Sequence, residues 1–276
     1  MGAGIPLFIV DAFTSKPFRG NPAAVCLLEK SLPDESLQLI AREMNLSETA
    51  FPLPRTGPAE YSLRWFTPTT EVPLCGHATL ASAKVLFDEV KIKADVIRFQ
   101  TMTGELLARR GKHGIALDFP KEEPVPTSAP APVLRALGNP TVEDAVAGSR
   151  STNLLLRLPG AREVEQLSPD FRSLERSTLA GKIHGVIVTA AGQSPHDFVS
   201  RYFAPGLGVD EDPVTGSSHT LLAPYWADRL GKSELFAFQA SKRGGELRLK
   251  LDPPDRVTIE GQAQLISRGN LIAQTG

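Results

Sequence analysis

The feature that most constrains this chain is that it is written twice. Glu71–Asp88 (EVPLCGHATLASAKVLFD) and Glu211–Asp228 (EDPVTGSSHTLLAPYWAD) superimpose at an offset of 140 (211 − 71). Glu71 then falls on Glu211, Pro73 on Pro213, Gly76 on Gly216, Ala83 on Ala223 and Asp88 on Asp228, while Leu74 and Val214 keep an apolar slot. The flanks repeat in the same order. Arg64-Trp65-Phe66-Thr67-Pro68 matches Arg201-Tyr202-Phe203-Ala204-Pro205 at an offset of 137 (201 − 64), and Phe99-Gln100 with Gly104-Glu105-Leu106 matches Phe238-Gln239 with Gly245-Glu246-Leu247. Repeats in one order at near-equal offsets mark an internal duplication. The period far exceeds a solenoid unit, so each copy is a domain, and 276 residues suit two domains of ordinary size. Prolines 120, 124, 126, 130 and 132 crowd a segment with few apolar residues, which reads as a stiff linker. The expected domains are therefore 1–120, with the last strand (264–276) as a candidate addition, and 121–263, with the linker at 120–132.

Local patterns give an α+β chain rather than alternating βαβ units. Short β-type runs are expected at Pro6–Thr14, Ala23–Leu28, Glu48–Leu53, Leu63–Phe66, Ile97–Gln100, Leu106–Arg109 and Ile115–Phe119, then at Leu154–Leu158, Gly185–Ala190, Phe198–Phe203, Leu235–Gln239, Leu247–Leu251, Val257–Ile259 and Gln264–Ala273. Pro33-Asp34-Glu35 opens a helix that Asn45-Leu46-Ser47 ends, and a short helix is expected near Pro169–Glu175. In the first copy, His77–Phe87 is small and apolar on nearly every side, as in an enclosed helix. The second copy carries Pro224 in its helix interior, which costs about 3 kcal/mol unless the helix accommodates it.

Composition closes off other classes. A net charge of −1 with interspersed signs leaves no footprint for nucleic acid or an anionic membrane surface. Two cysteines, Cys26 and Cys75, make no disulfide framework and suit a reducing compartment. The start lacks a signal-peptide pattern and no apolar run approaches the roughly 18 residues of a membrane span, so a soluble cytoplasmic protein is expected. The histidines are scattered, with no metal-ligand spacing, and no dinucleotide loop or G-x-S-x-G elbow appears.

Each repeated stretch places a glycine, Gly76 or Gly216, at the expected start of its helix. The first N–H groups of such helices have no intrahelical partner and attract anions, by about 0.3–1 kcal/mol each. Two equivalent helix starts across an interdomain cleft would hold a carboxylate or an enolate oxygen. Equally, the glycines serve tight turns into core helices. The polar residues beside them differ between copies: His77 pairs with Ser217, Cys75 with Thr215 and Val72 with Asp212. The halves share a frame and differ in chemistry.

Gly20-Asn21-Pro22-Ala23-Ala24-Val25, Asn45-Leu46-Ser47-Glu48-Thr49-Ala50-Phe51, Cys75-Gly76-His77-Ala78-Thr79-Leu80 and Glu211-Asp212-Pro213-Val214-Thr215-Gly216-Ser217 together resemble the PhzF family of phenazine-biosynthesis isomerases, and within it the animal phenazine biosynthesis-like domain-containing proteins. The resemblance implies the diaminopimelate epimerase-like fold: two similar domains, each a β-barrel-like sheet around a central helix, with the active site in the interdomain cleft. It implies a homodimeric isomerase without metal or cofactor, acting on a small carboxylate-bearing metabolite. By the same resemblance Glu48 matches the catalytic general acid/base, while Gly76, His77, Asp212, Gly216 and Ser217 match residues that line the substrate site. A carboxylic acid suits both proton transfers if an enclosed pocket raises its pKa toward about 6–7. Related two-base epimerases use one cysteine from each domain; Cys75 stands at the first position, but Pro213 stands at the second. Two alternatives remain: a non-catalytic metabolite- or protein-binding member of the fold, and a one- or two-base amino-acid epimerase, the two-base form pairing Glu48 with a base such as His184, which an offset of 136 (184 − 48) places opposite it.

Overall fold

The computed structural model describes residues 4–272. Its contacts divide the chain into two units, Met1–Asp118 with Glu260–Gly276, and Phe119–Ile259. Each is taken by itself.

The first unit runs β1 (Ile5–Ala12), β2 (Asn21–Cys26), α1 (Asp34–Met44), β3 (Glu48–Pro54), β4 (Glu60–Phe66), β5 (Glu71–Val72), α2 (Gly76–Asp88), β6 (Val96–Thr101), β7 (Gly104–Arg110) and β8 (Ile115–Pro120). β1 pairs antiparallel with β2, β2 parallel with β3, β3 antiparallel with β4, β4 parallel with β6, and β6 and β7 continue antiparallel. α1 makes the crossover between the parallel strands β2 and β3. Asp34 and Glu35 sit at its positive end, and Asn45 ends it in the left-handed conformation (φ 48°), its N–H reaching the Ala41 carbonyl at 3.1 Å. Its apolar stripe, Leu37, Ile40 and Ala41, packs on Cys26, Leu28, Phe51 and Phe66. α2 is enclosed, as its composition requires: only Lys84 and Asp88 of its residues are not buried. The two hydroxyls inside it bond back to carbonyls one turn earlier, Thr79 to Cys75 at 2.6 Å and Ser82 to Ala78 at 2.8 Å, so neither is left unpaired in apolar surroundings.

The second unit runs β9 (Pro124–Pro126), α3 (Ala131–Ala136), β10 (Asp144–Gly148), β11 (Leu154–Arg157), α4 (Ala161–Glu165), α5 (Phe171–Gly181), β12 (Val186–Ala191), β13 (Phe198–Ala204), β14 (Val209–Asp212), α6 (Ser218–Leu230), β15 (Glu234–Gln239), β16 (Gly245–Asp252) and β17 (Arg256–Gly261). The pairings β10–β11, β11–β12, β12–β13, β13–β15 and β15–β16 repeat the senses of the first unit in order: antiparallel, parallel, antiparallel, parallel, antiparallel. The duplication reaches individual side chains. Arg64 forks onto Glu71 (2.7 and 2.7 Å) and Arg201 onto Glu211 (2.7 and 2.9 Å). Each guanidinium also stacks on the phenylalanine two residues on, Phe66 at 5.0 Å and Phe203 at 4.9 Å. After β17 the chain returns to the first unit as β18 (Ala263–Leu271), antiparallel to β1; residue 273 of the expected last strand lies outside the described residues.

Several elements differ from the sequence expectation. The proline-rich stretch holds β9, which pairs with β10, and the start of α3, whose Pro132 falls in the first turn where no N–H is needed. α5 extends to Gly181: Asp170 caps its start, accepting from the Ser173 N–H at 3.1 Å, and Lys182 ends it in the left-handed conformation; beyond Glu175 only Thr178 is buried, so apolar periodicity does not reveal the last turns. α6 begins at Ser218, not at Gly216. Gly216 and Ser217 lie in tight turns, with the His219 N–H on the Gly216 carbonyl and the Thr220 N–H on the Ser217 carbonyl, both at 3.1 Å. Pro224 is tolerated inside α6 because the carbonyl it cannot serve, Thr220 O, accepts the Glu122 N–H at 3.1 Å.

Candidate active site

Glu48 is the first residue of β3, delivered there by the left-handed turn at Asn45. Parallel pairing sets it beside Ala23 of β2, a strand that begins with Asn21. The chain enters β2 through Gly20 at φ +65°, where a Cβ would lie 2.1 Å from the Ala12 carbonyl oxygen; only glycine makes that turn. His77 is the second residue of α2. These three elements bring the Glu48 carboxylate (Oε2) to 3.1 Å from His77 Nε2, and the Asn21 side-chain nitrogen to 3.1 Å from His77 Nδ1. Cys75 Sγ lies 3.5 Å from the same Nδ1. The imidazole is 4% exposed and Asn21 fully buried, whereas the Glu48 side chain keeps 16% of its surface.

The electrostatics follow from this enclosure. Burial pulls the His77 imidazole down to about 3, so the ring is neutral at physiological pH. With the Asn21 amide donating to Nδ1, the ring proton sits on Nε2 and faces Glu48. The contact is close without the alignment of a hydrogen bond, so a neutral ring edge stands beside the carboxylate and forms no fixed ion pair.

Ligand atoms of Glu48, Cys75 and His77 lie within 4.8 Å of one another, a cluster small enough to hold a metal ion. The ring, however, turns Nδ1 to Asn21 and Cys75 and Nε2 to Glu48. No single ring nitrogen faces both other ligands, so the arrangement suits proton sharing along the imidazole better than coordination at one point.

In the second unit, Asp212 closes β14 and its carboxylate accepts the Thr215 hydroxyl at 2.5 Å. The turn from Asp212 to Gly216 hangs on Gln239, a fully buried amide at the end of β15. Gln239 Nε2 donates to the Asp212 carbonyl (2.8 Å) and to Thr215 Oγ1 (3.1 Å), and its Oε1 accepts the Thr215 N–H (2.9 Å). Ser241 adds a bond to the Pro213 carbonyl at 2.7 Å. Gly216 and Ser217 follow this turn, and His219 donates from Nδ1 to the Thr215 carbonyl at 2.7 Å. Thr79 and His219, 140 apart (219 − 79), thus cap equivalent carbonyls with different chemistry. Burial pulls His219 down to about 4.

The site residues read from the sequence therefore gather as Glu48, Gly76 and His77 in the first unit and as Asp212, Gly216 and Ser217 in the second. Asn21 and Gln239 join them as residues that the sequence does not mark for the site. The signal for Asn21 was its Gly-Asn-Pro turn, and for Gln239 the repeated Phe-Gln pair. His184 is not the repeat counterpart of Glu48. Phe66 pairs with Thr49 and its counterpart Phe203 pairs with Val186, so the offset at this strand is 137 (186 − 49) and Gly185 takes the position of Glu48.

A family profile described as Phenazine biosynthesis-like protein matches residues 10–269. The chain is 47% identical to mouse phenazine biosynthesis-like domain-containing protein 1, over 98% of this chain and 99% of the relative. It is 48% identical to a protein of Pseudomonas aeruginosa named an uncharacterized isomerase, over 97% of this chain and 98% of that one. The crystal structure of a PhzF-family phenazine biosynthesis protein of Enterococcus faecalis superimposes with a TM-score of 0.90 at 42% identity, covering 98% of this chain and 100% of the other. No helix among the described residues is long and apolar enough to cross a membrane.

Proposed function

Because the chain belongs to the PhzC–PhzF family of phenazine biosynthesis-like proteins, with the epimerase-like fold of that family, we propose that it is an isomerase that moves a proton between carbons of a small carboxylate-bearing metabolite. The observation that carries the reading is the Glu48 carboxylate set 3.1 Å from the Nε2 of a buried, neutral His77. Glu48 takes a proton from a substrate carbon: the C–H bond breaks, an O–H bond forms on the carboxylate, and the electron pair passes into the substrate as an enolate. The same O–H then returns its proton to a different carbon, leaving no net oxidation. His77 backs the carboxylate with its neutral Nε2 edge, and Asn21 keeps the ring proton on Nε2 by donating to Nδ1. The Gly76 start of α2 favours developing negative charge on the substrate, while Asp212, Gly216 and Ser217, on the turn that Gln239 braces, offer polar groups of their own for a carboxylate. The two-base alternative loses the repeat equivalence that pointed to His184, since Gly185 is the counterpart of Glu48.

The test is hydron exchange. In D2O the protein should incorporate deuterium at carbon positions of a small carboxylic acid with an activated C–H, followed by NMR across a panel of such acids. Glu48→Gln should remain folded and lose at least a hundredfold in exchange rate. Full retained exchange in that variant would remove Glu48 from the role.

A further inference from the structure

Trp65 on β4 is 1% exposed, yet its indole N–H has no acceptor among the described residues. A buried donor left unpaired is destabilising, and a phenylalanine would fill the same place without that penalty. The strand register says where the ring lies. Trp65 pairs with Ala50, so the two share a face of the sheet, and Glu48, two residues before Ala50, shares it too. Trp65 is the diagonal neighbour of Glu48, a separation that an aromatic side chain spans. On its other side it pairs with Val72, from which the chain runs directly into Cys75, Gly76 and His77.

The duplicated half shows how far a ring at this position reaches. Tyr202 is the counterpart of Trp65 (202 − 65 = 137) and Gly185 that of Glu48 (185 − 48 = 137). A Cβ on Gly185 would meet the Tyr202 hydroxyl at 2.3 Å and its ring carbon at 2.4 Å, so the ring tip occupies the place where Glu48 stands in the first unit. There the polar tip is satisfied, because Tyr202 donates to Asn153 Oδ1 at 3.1 Å. The parallel registers set Ala24 beside Thr49 and Leu154 beside Val186, which makes Ala23 the counterpart of Asn153. One half keeps donor and acceptor; the other keeps the donor and has alanine in place of the acceptor.

We infer that Trp65 is a substrate-binding residue whose Nε1–H donates to a carboxylate or enolate oxygen of the molecule that Glu48 deprotonates. This rests on the isomerase reading for its substrate class. A neutral buried donor strengthens as negative charge develops on that oxygen, which favours the enolate over the acid it comes from.

The chain has two tryptophans, so an NMR spectrum of the protein labelled with 15N-tryptophan shows two indole resonances. Trp226 donates to Thr189 Oγ1 at 3.0 Å and serves as the internal reference. Titration with acetate and with benzoate, at fixed pH and ionic strength, should move the Trp65 resonance downfield to saturation and leave that of Trp226 in place. Trp65→Phe should weaken benzoate binding, read on the His77 amide, by about tenfold, with the thermal midpoint unchanged or raised. A Trp65 resonance that stays put with both probes overturns the inference. So does a Trp65→Phe protein that is less stable but binds as before, since that is the behaviour of a packing residue. If Glu48→Gln abolishes exchange while the Trp65 resonance is unmoved, the isomerase reading stands and this one falls. If carboxylates shift Trp65 while Glu48→Gln still exchanges, the contact stands and the acid/base assignment falls.

Discussion

At the scale of single residues, the site is defined by which nitrogen of which histidine is allowed a proton. Burial holds His77 near 3 and His219 near 4, both below the ordinary 6.5 of the unfolded chain. Between the folded and unfolded values the unfolded chain binds more protons, so stability is undiminished above about pH 6.5 and falls as pH drops toward 4 and then 3. Each imidazole contributes a slope of about 1.4 kcal/mol per pH unit within its window. His77 has the Glu48 carboxylate beside it to receive the charged form, whereas Thr215 O and Ser218 Oγ are the polar contacts of His219. His219→Gln should therefore flatten the fall between pH 6 and 4.5 by close to one proton's slope. Urea unfolding at a series of pH values measures this, and an unchanged slope would show that His219 titrates normally. Asn21 acts at the same scale: it sets the tautomer that aims Nε2–H at Glu48.

At the scale of elements, the two enclosed helices begin differently although their sequences align. α2 starts at Gly76, directly after the Cys75 N-cap, while the chain reaches α6 through two tight turns beyond a brace made by one buried amide. The repeated Phe-Gln pair lies at or within a residue of its strand's end in both units, yet Gln100 is exposed and Gln239 is fully buried on the Asp212–Thr215 turn. Gln239→Leu removes three hydrogen bonds and leaves the Thr215 N–H without its acceptor, a loss of about 3 kcal/mol. Trp226 fluorescence should report an unfolding midpoint lowered by several degrees, and the chemical shifts of Asp212–Ser217 should move while those around Glu48 do not. A midpoint within one degree of the parent would mean that the turn holds itself. The proline-rich stretch belongs to this scale as well, because prolines that look like a spacer lie instead in a short strand and a helix first turn, where a missing N–H costs nothing.

At the scale of the whole molecule, the chain builds most of one unit, all of the other, and then returns. β18 pairs along the length of β1 only after residues 119–259 have been made. Ending the chain at Ile259 would strip β1 of that partner and open an edge of eight residues. The truncated protein should lose the native indole resonance of Trp65 and keep that of Trp226, checked in the same labelled spectrum. Retention of both would show that the first unit does not need its last strand. The duplicated frame also shows how the halves diverge: Tyr202 with Asn153 fills and satisfies the position that Glu48 occupies in the other half, on the same sheet face as Trp65.

The sequence by itself determined the duplication, the α+β class, the enclosed central helices and the candidate acid Glu48, because repeat offsets, apolar patterning and motif residues are properties of the chain in one dimension. It also placed His77 at a helix start. Only the tertiary structure decided what touches what. The one-residue difference between offsets 136 and 137 exchanged His184 for Gly185, since strand register moves a side chain to the opposite face with every step. The tautomer of His77 depends on a partner 56 residues away (77 − 21), the brace at Gln239 on partners 24 and 27 residues away (239 − 215 and 239 − 212), and the unpaired indole of Trp65 on an acceptor that its duplicate has and it lacks. Periodicity carries no record of contacts at such separations, because each is fixed by packing between elements rather than by any pattern within one.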